Sequence, residues 1–203
     1  MFQTIRSDFE RLILPLSDVG VELAGGLGEG PPVLNDDSIC FNGLRECGHS
    51  PNEELIIPYP CESAQGIGPS ATAIVGEFFN VGVTVRHRCC NGQCSFETFL
   101  LARSKDLPPN AQPDEHGLFG EYVKTGFRPY DLAVTVVLLI AKRRLGDQFI
   151  VHTNGGDAQW ADARQLCQRI LGYGDWFGIT EERVSDEGCE VTVRTLTEIA
   201  PPS

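Results

Sequence analysis

The chain lacks an apolar run long enough to cross a bilayer. A membrane helix needs about 20 such residues. The longest apolar stretch here, within 132–141, is about half that and is followed by Lys142, Arg143 and Arg144. No secretory leader is expected: the opening MFQTIRSDFERLILPL carries Asp8 and Glu10 and has no adequate apolar core. The expected location is therefore the cytoplasm, where thiols stay reduced. Lysine is scarce, with 3 residues against 13 arginines, and 142–144 is the only basic run. The net charge is −12. Residues 1–100 hold 13 acids and 5 bases, and residues 101–203 hold 15 and 11. A chain so acidic is not expected to bind nucleic acid, whose phosphates demand cations, or an anionic membrane surface. Catalytic fingerprints are missing too. The loop TNGGD (153–157) is neither a phosphate loop nor a dinucleotide fingerprint, and there is no serine nucleophile elbow and no H-E-x-x-H.

What is present suffices for an ordinary globular domain. The 203 residues are 41% hydrophobic and 22% charged, and a chain of this size buries roughly 70% of its unfolded surface. One domain, 1–203, is expected, with a soft internal boundary at the polar, proline-containing connector 104–116 (SKDLPPNAQPDEH). Eight cysteines are many for a reduced compartment but far too few for a disulfide scaffold.

The organising stretch is 117–171. Pro129 suits a first helical position, and Asp131 suits the positive end of the dipole. Apolar residues cover nearly every side of the helix that follows, so it is expected to be buried. Lys142–Arg144 favour its C-terminus, and Gly146 can close it. Strands are expected at 117–124 and 148–152. A second helix is expected over 158–171, where Trp160, Ala163, Cys167 and Ile170 recur at helical spacing, with Asp157 as N-cap and Gly172 as stop. This β-α-β-α order favours parallel pairing with a right-handed crossover. Both strand-to-helix loops would then meet at the carboxyl edge of one sheet, where open α/β sheets bind ligands.

The first half reads as β-rich. Residues 2–14 form an amphipathic helix ended by Pro15. Short strands follow near 19–23, 38–41 and 54–58, with loops at 25–37 and 58–70. Asn91-Gly92 separates two alternating runs, which is a strong hairpin signal. A hairpin over 81–101 would set Cys90 against Gln93, Cys89 against Cys94, His87 against Phe96 and Arg86 against Glu97. Beyond Leu171, 172–188 reads as loop and 189–196 as a strand. The expected fold class is α+β (mixed α/β): a β-rich N-terminal half with a hairpin at 81–101, joined to a C-terminal β-α-β-α block.

Three constellations could carry chemistry. Cys89, Cys94 and His87 on one hairpin face, with Cys47 and His49 (and Cys40) earlier in the chain, offer nitrogen and sulfur ligands for a structural zinc. The same cysteines also read as small buried apolar residues, or Cys89 and Cys94 as a redox pair. At the carboxyl edge, Lys124 and Arg128 offer charge to an anion, with Asn154 and Asp157 beside them. His152 is a candidate base and Asp131 or Asp157 its orienting partner. Asp131 and Asp157 are equally what helix starts want. The third constellation is a cysteine–histidine hydrolase, with Cys90 or Cys61 more exposed than Cys167. The leading expectation is a cytosolic binding or interaction protein with an acidic surface, its partner a protein with a basic surface or a small anionic ligand. The alternatives are a small enzyme at the 124–131/152–157 edge and a zinc-stabilised or thiol-redox protein using Cys89 and Cys94.

Overall fold

The computed structural model describes residues 1–48, 54–55, 88–90, 92–104, 110–114, 117–186 and 189–199. Helix α1 (Phe2–Asp18) buries Ile5, Phe9, Leu12 and Leu16 along one stripe, with Asp8 beside them. Asp8 is buried because Arg144 meets it: Nε and Nη2 donate to Asp8 Oδ2 at 2.9 and 2.5 Å. Pro15 lies inside this helix rather than ending it. Leu16 is fully buried, and the amides of Val19 and Val21 both bond to its carbonyl. Burial of such a side chain, about 2 kcal/mol, offsets much of the cost of a proline so near the helix end.

A small antiparallel sheet follows, with strands β1 (Leu23–Ala24), β2 (Val33–Leu34) and β3 (Ser38–Gly43) in the order β1-β3-β2. Strand β6 (Phe99–Ala102) also pairs with β3, in the register Phe41↔Phe99. Phe9, Phe41 and Phe99 stack, with ring centroids 5.4 and 5.0 Å apart. Strands β4 (Glu54–Leu55) and β5 (Arg88–Cys89) form a separate two-stranded pair.

Helix α2 (Asp131–Leu145) is buried on nearly every side. It starts two residues after Pro129, because Tyr130 precedes it as an anchor: fully buried, it donates its hydroxyl to the Glu97 carbonyl at 2.6 Å. Gly146 closes the helix at φ +59. Helix α3 (Asp157–Leu171) buries Trp160, Ala163, Leu166 and Cys167. Its N-cap is Gly156, not Asp157, and Gly172 ends it at φ +82. Strands β7 (Phe177–Asp186) and β8 (Cys189–Glu198) form an antiparallel ribbon of ten residues each. One core joins α1, β3, β6, α2, α3, Phe177 and Leu196. No helix among the described residues is long and apolar enough to cross a membrane.

The mixed α+β class is as expected, and several of its parts are not. Among the described residues, 88–90 and 92–101 do not pair with each other as a hairpin. Gln93 N–H does bond to the Cys90 carbonyl, at 3.2 Å. The strands beside that turn take other partners, however: Cys89 pairs with Glu54, and β6 pairs with β3. The reason is Asn42. Its side chain is almost fully buried, and it clamps both backbone groups of Phe96, donating from Nδ2 to the carbonyl and accepting the amide at Oδ1, each at 3.0 Å. That long-range pairing satisfies the backbone the hairpin would have used. Residues 81–87, with the expected His87–Phe96 and Arg86–Glu97 pairs, lie outside the described residues.

The C-terminal β-α-β-α block is corrected as well. Residues 117–124 form no strand. Residues 148–152 contribute one isolated antiparallel bridge, His152↔Thr195. The region read as loop at 172–188 supplies β7, and β8 then captures 151–153 through Leu196 N–H to the Val151 carbonyl and Thr153 N–H to the Arg194 carbonyl. Every strand pairing among the described residues is antiparallel. The shared carboxyl edge therefore does not exist.

Candidate metal centre

Three sulfurs meet where the two halves of the chain touch. Cys47 follows β3, Cys90 follows β5, and Cys94 lies four residues further on. Their Sγ atoms all lie within 4.8 Å of one another. Cys47 and Cys90, 43 residues apart in sequence, lie 3.1 Å apart.

Each sulfur is held by structure built for it. Cys94 N–H donates to the Leu44 carbonyl at 3.0 Å. Its backbone lies so close to Gly43 that a Cβ there would sit 2.1 Å from the Cys94 carbonyl oxygen. Only glycine permits that approach. Cys47 sits on the loop that leaves β3 beyond this contact, and Arg45 N–H ties that loop to the Gly28 carbonyl at 3.0 Å. Cys90 is fixed from the helical side. Arg128 donates from Nη1 to its carbonyl. Two residues before it, Arg88 is buried and donates from Nε to Asp131 at 2.9 Å and from Nη1 to Asp162 at 2.8 Å. Arg88 Nη2 also reaches the Gln159 carbonyl at 3.3 Å.

Cys90 and Cys94 are buried, and Cys47 is half-buried. Burial raises the Cys90 and Cys94 thiols above the ordinary range; Cys47 raises both further and Cys90 raises Cys94, while the bond from Cys94 partly lowers Cys90. Cys40, Cys47, Cys90, Cys94 and Cys167 are not in disulfides. The group could hold a metal ion. Tetrahedral zinc with Zn–S near 2.3 Å sets its sulfurs about 3.8 Å apart, and the observed cluster needs only small side-chain rotations to reach that.

Of the expected ligands, the structure brings Cys47 and Cys94 together. Cys90, which was not among the expected ligands, joins them. The side chain of Cys89, with His87 and His49, lies outside the described residues, as does Cys61. Cys90 was expected to be more exposed than Cys167, yet both are buried, and burial pushes the Cys167 thiol up to about 12.

The residues of the expected anion edge separate into two groups. Lys124, Arg128 and Asp131 lie near Cys90 and Glu97. Lys124 N–H donates to Glu97 at 2.7 Å, and its ammonium stands 5.8 Å from the Tyr122 ring centre. Arg128 lies 6.0 Å from the Phe96 ring centre, and its buried Nε has no hydrogen-bond partner among the described residues. Asp131 accepts from Arg88 and, at 2.5 Å, from Thr125. His152, Asn154 and Asp157 belong instead to the β7–β8 side. His152 is exposed, with Nδ1 3.1 Å from the Thr195 hydroxyl. The Asn154 carbonyl accepts from Arg194 at 3.2 Å. Asp157 is chelated by Arg164, with both contacts at 2.7 Å, and accepts Ile179 N–H at 3.0 Å. Burial alone would raise the Asp157 carboxyl, but these bonds outweigh it and hold the group below its ordinary value.

Arg88 and Asp162, which position Cys90, went unnoticed in the sequence. A lone arginine in a strand carries no signal of burial, and Asp162 looks like an ordinary helix-surface acid. Gly43 carries a weak signal only, as a glycine at the end of a strand. Compared with family models, curated proteins and solved structures, the chain gives no match.

Proposed function

We propose that this chain is a binding or interaction protein stabilised by a zinc ion on the thiolates of Cys47, Cys90 and Cys94. The observation that carries the reading is the convergence of three cysteine sulfurs within 4.8 Å, from two segments that are distant in sequence. Zinc is the cation of choice for such a set, because it takes thiolate sulfur in tetrahedral structural sites. Binding replaces the thiol protons and adds its free energy to folding, since the unfolded chain has no preformed site. The ion would join the loop after β3 to the segment that Arg88 and Arg128 fasten to α2 and α3, so its role is to lock the sheet against the helices. A net charge of −12 favours a partner with a basic surface. The distal half of the β7–β8 ribbon, exposed and bearing Glu181, Glu182 and Glu190, supports the same partner.

The test is metal analysis of the protein purified without chelators, together with cobalt substitution. About one zinc per chain and thiolate-to-cobalt charge-transfer absorption are expected, both lost in Cys90→Ser and Cys94→Ser. A folded wild-type chain that takes up neither ion overturns the reading.

A further inference from the structure

We infer that Cys47 and Cys90 form a reversible disulfide, and that this bond and a bound metal ion exclude each other. The metal half of the inference rests on the zinc reading above and adds its regulation. The geometry of the pair favours it. The two sulfurs are 3.1 Å apart, between the roughly 2.05 Å of a disulfide and the roughly 3.8 Å of two thiolates sharing a tetrahedral zinc. A small rotation reaches either state. Cys94 is the weaker candidate for the bond, because its backbone is wedged against Gly43.

The burial pattern gives the reaction a direction. Cys90 and Cys94 are 2% and 4% exposed. Cys47 is half-buried, and its neighbours Arg45, Glu46 and Gly48 are exposed. An oxidant from solvent therefore meets Cys47 first. With a small disulfide such as oxidised glutathione, the Cys47 sulfur attacks one oxidant sulfur. A mixed disulfide forms, and one glutathione leaves as a thiol. The Cys90 sulfur then attacks the Cys47 sulfur and displaces the second glutathione. The two cysteines lose two electrons and two protons, and the oxidant gains both. If the metal is present, the two thiolates are consumed as its donors, the protons for the departing thiols come from water, and the ion leaves as Cys94 takes up a proton. Cys94 alone cannot retain the ion.

Arg88 and Arg128 make the switch more than local. They hold the Cys90 side to α2 and α3 in both states. The oxidised form keeps the sheet loop fastened to β5 without the ion.

The experiment uses the full chain, reconstituted with zinc and exposed to oxidised glutathione. Zinc release is followed with a chromogenic chelator. After alkylation, linked peptides are sequenced by fragmentation to separate Cys89, Cys90 and Cys94. Zinc release in step with a Cys47–Cys90 link, reversed by reductant plus zinc, is the expected result. Cys47→Ser should abolish the link, and Cys94→Ser should still form it although it holds no zinc. If zinc stays bound with the thiols open to alkylation, or the link joins other cysteines, the switch is overturned while the metal centre stands. If the chain takes up no zinc, the metal centre falls. In that case a Cys47–Cys90 link upholds the disulfide, and its absence removes both.

Discussion

Arg88 Nε donates to Asp131 Oδ2 across 2.9 Å, and the two side chains are 3% and 13% exposed. This pair joins a two-residue strand to the first turn of α2, and Asp162 on α3 completes it from the other guanidinium nitrogen. A buried ion pair is only modestly stabilising against an apolar substitute, yet removing one partner is costly, because the other charge stays behind. The arrangement fixes where Cys90 sits more than it adds stability.

Arg88→Met should therefore destabilise the fold by about 3 kcal/mol, the lower end of the range for a broken buried pair, because Asp162 keeps partial access to water. Urea denaturation measures this. Adding Asp131→Asn should restore part of the loss. If the single variant is as stable as the wild type, the pairing is incidental.

Asn42→Ala removes bonds to Phe96 N–H, the Phe96 carbonyl and the Gly26 carbonyl. Leaving buried backbone groups unsatisfied costs about 1–3 kcal/mol each, so a loss of about 3 kcal/mol is expected, with faster amide exchange at Phe96. Unchanged exchange at that amide would show that the clamp does not hold 93–98 in place.

Gly43→Ala forces a methyl into the Cys94 carbonyl. The variant should lose zinc affinity by at least about tenfold through displacement of one ligand, as misplaced supporting groups do at metal sites. Competition with a zinc dye reads this directly, and Gly120→Ala serves as the control, since no atom lies within 4 Å of a Cβ there and its backbone is outside the left-handed region.

Chelator treatment should lower the melting temperature of the wild-type chain and leave Cys90→Ser unmoved. An ion held at a thousandfold above its dissociation constant contributes about 4 kcal/mol to apparent stability. Scanning calorimetry with and without chelator separates this from a general effect of the chelator.

Asp157→Asn should cost about 1 kcal/mol at neutral pH, the scale of charge-assisted bonds at a partly exposed helix start. The sign of its pH dependence follows from a carboxyl held below its ordinary value by Arg164 and Ile179 N–H. Its contribution is present above the unfolded value near about 3.9 and is lost as pH falls through the lower folded value. Wild type and variant should therefore converge in stability below about pH 4. A difference that persists unchanged at lower pH would assign the loss to packing instead.

The sequence by itself determined the helices. Apolar residues on every side of 132–141, a C-terminal cluster of cations and glycines at 146 and 172 act within a few residues of one another, so α2 and α3 were legible almost to their ends. The stripe Ile5-Phe9-Leu12 revealed α1 in the same way, although the burial of Leu16 carried it past Pro15. The cysteine count raised the thought of a metal, and Cys47 and Cys94 were among its expected ligands. Only the tertiary structure decided the strand pairings and the third sulfur. Asn91-Gly92 is a local signal, and it yielded to Asn42, which lies some fifty residues away and satisfies the Phe96 backbone. The ribbon of β7 and β8 captured 151–153 and so removed the parallel unit that would have joined Lys124 and Arg128 to His152. Cys90 joins Cys47 and Cys94 through partners that no local pattern encodes: Arg128 on its carbonyl, and Asp131 and Asp162 around Arg88.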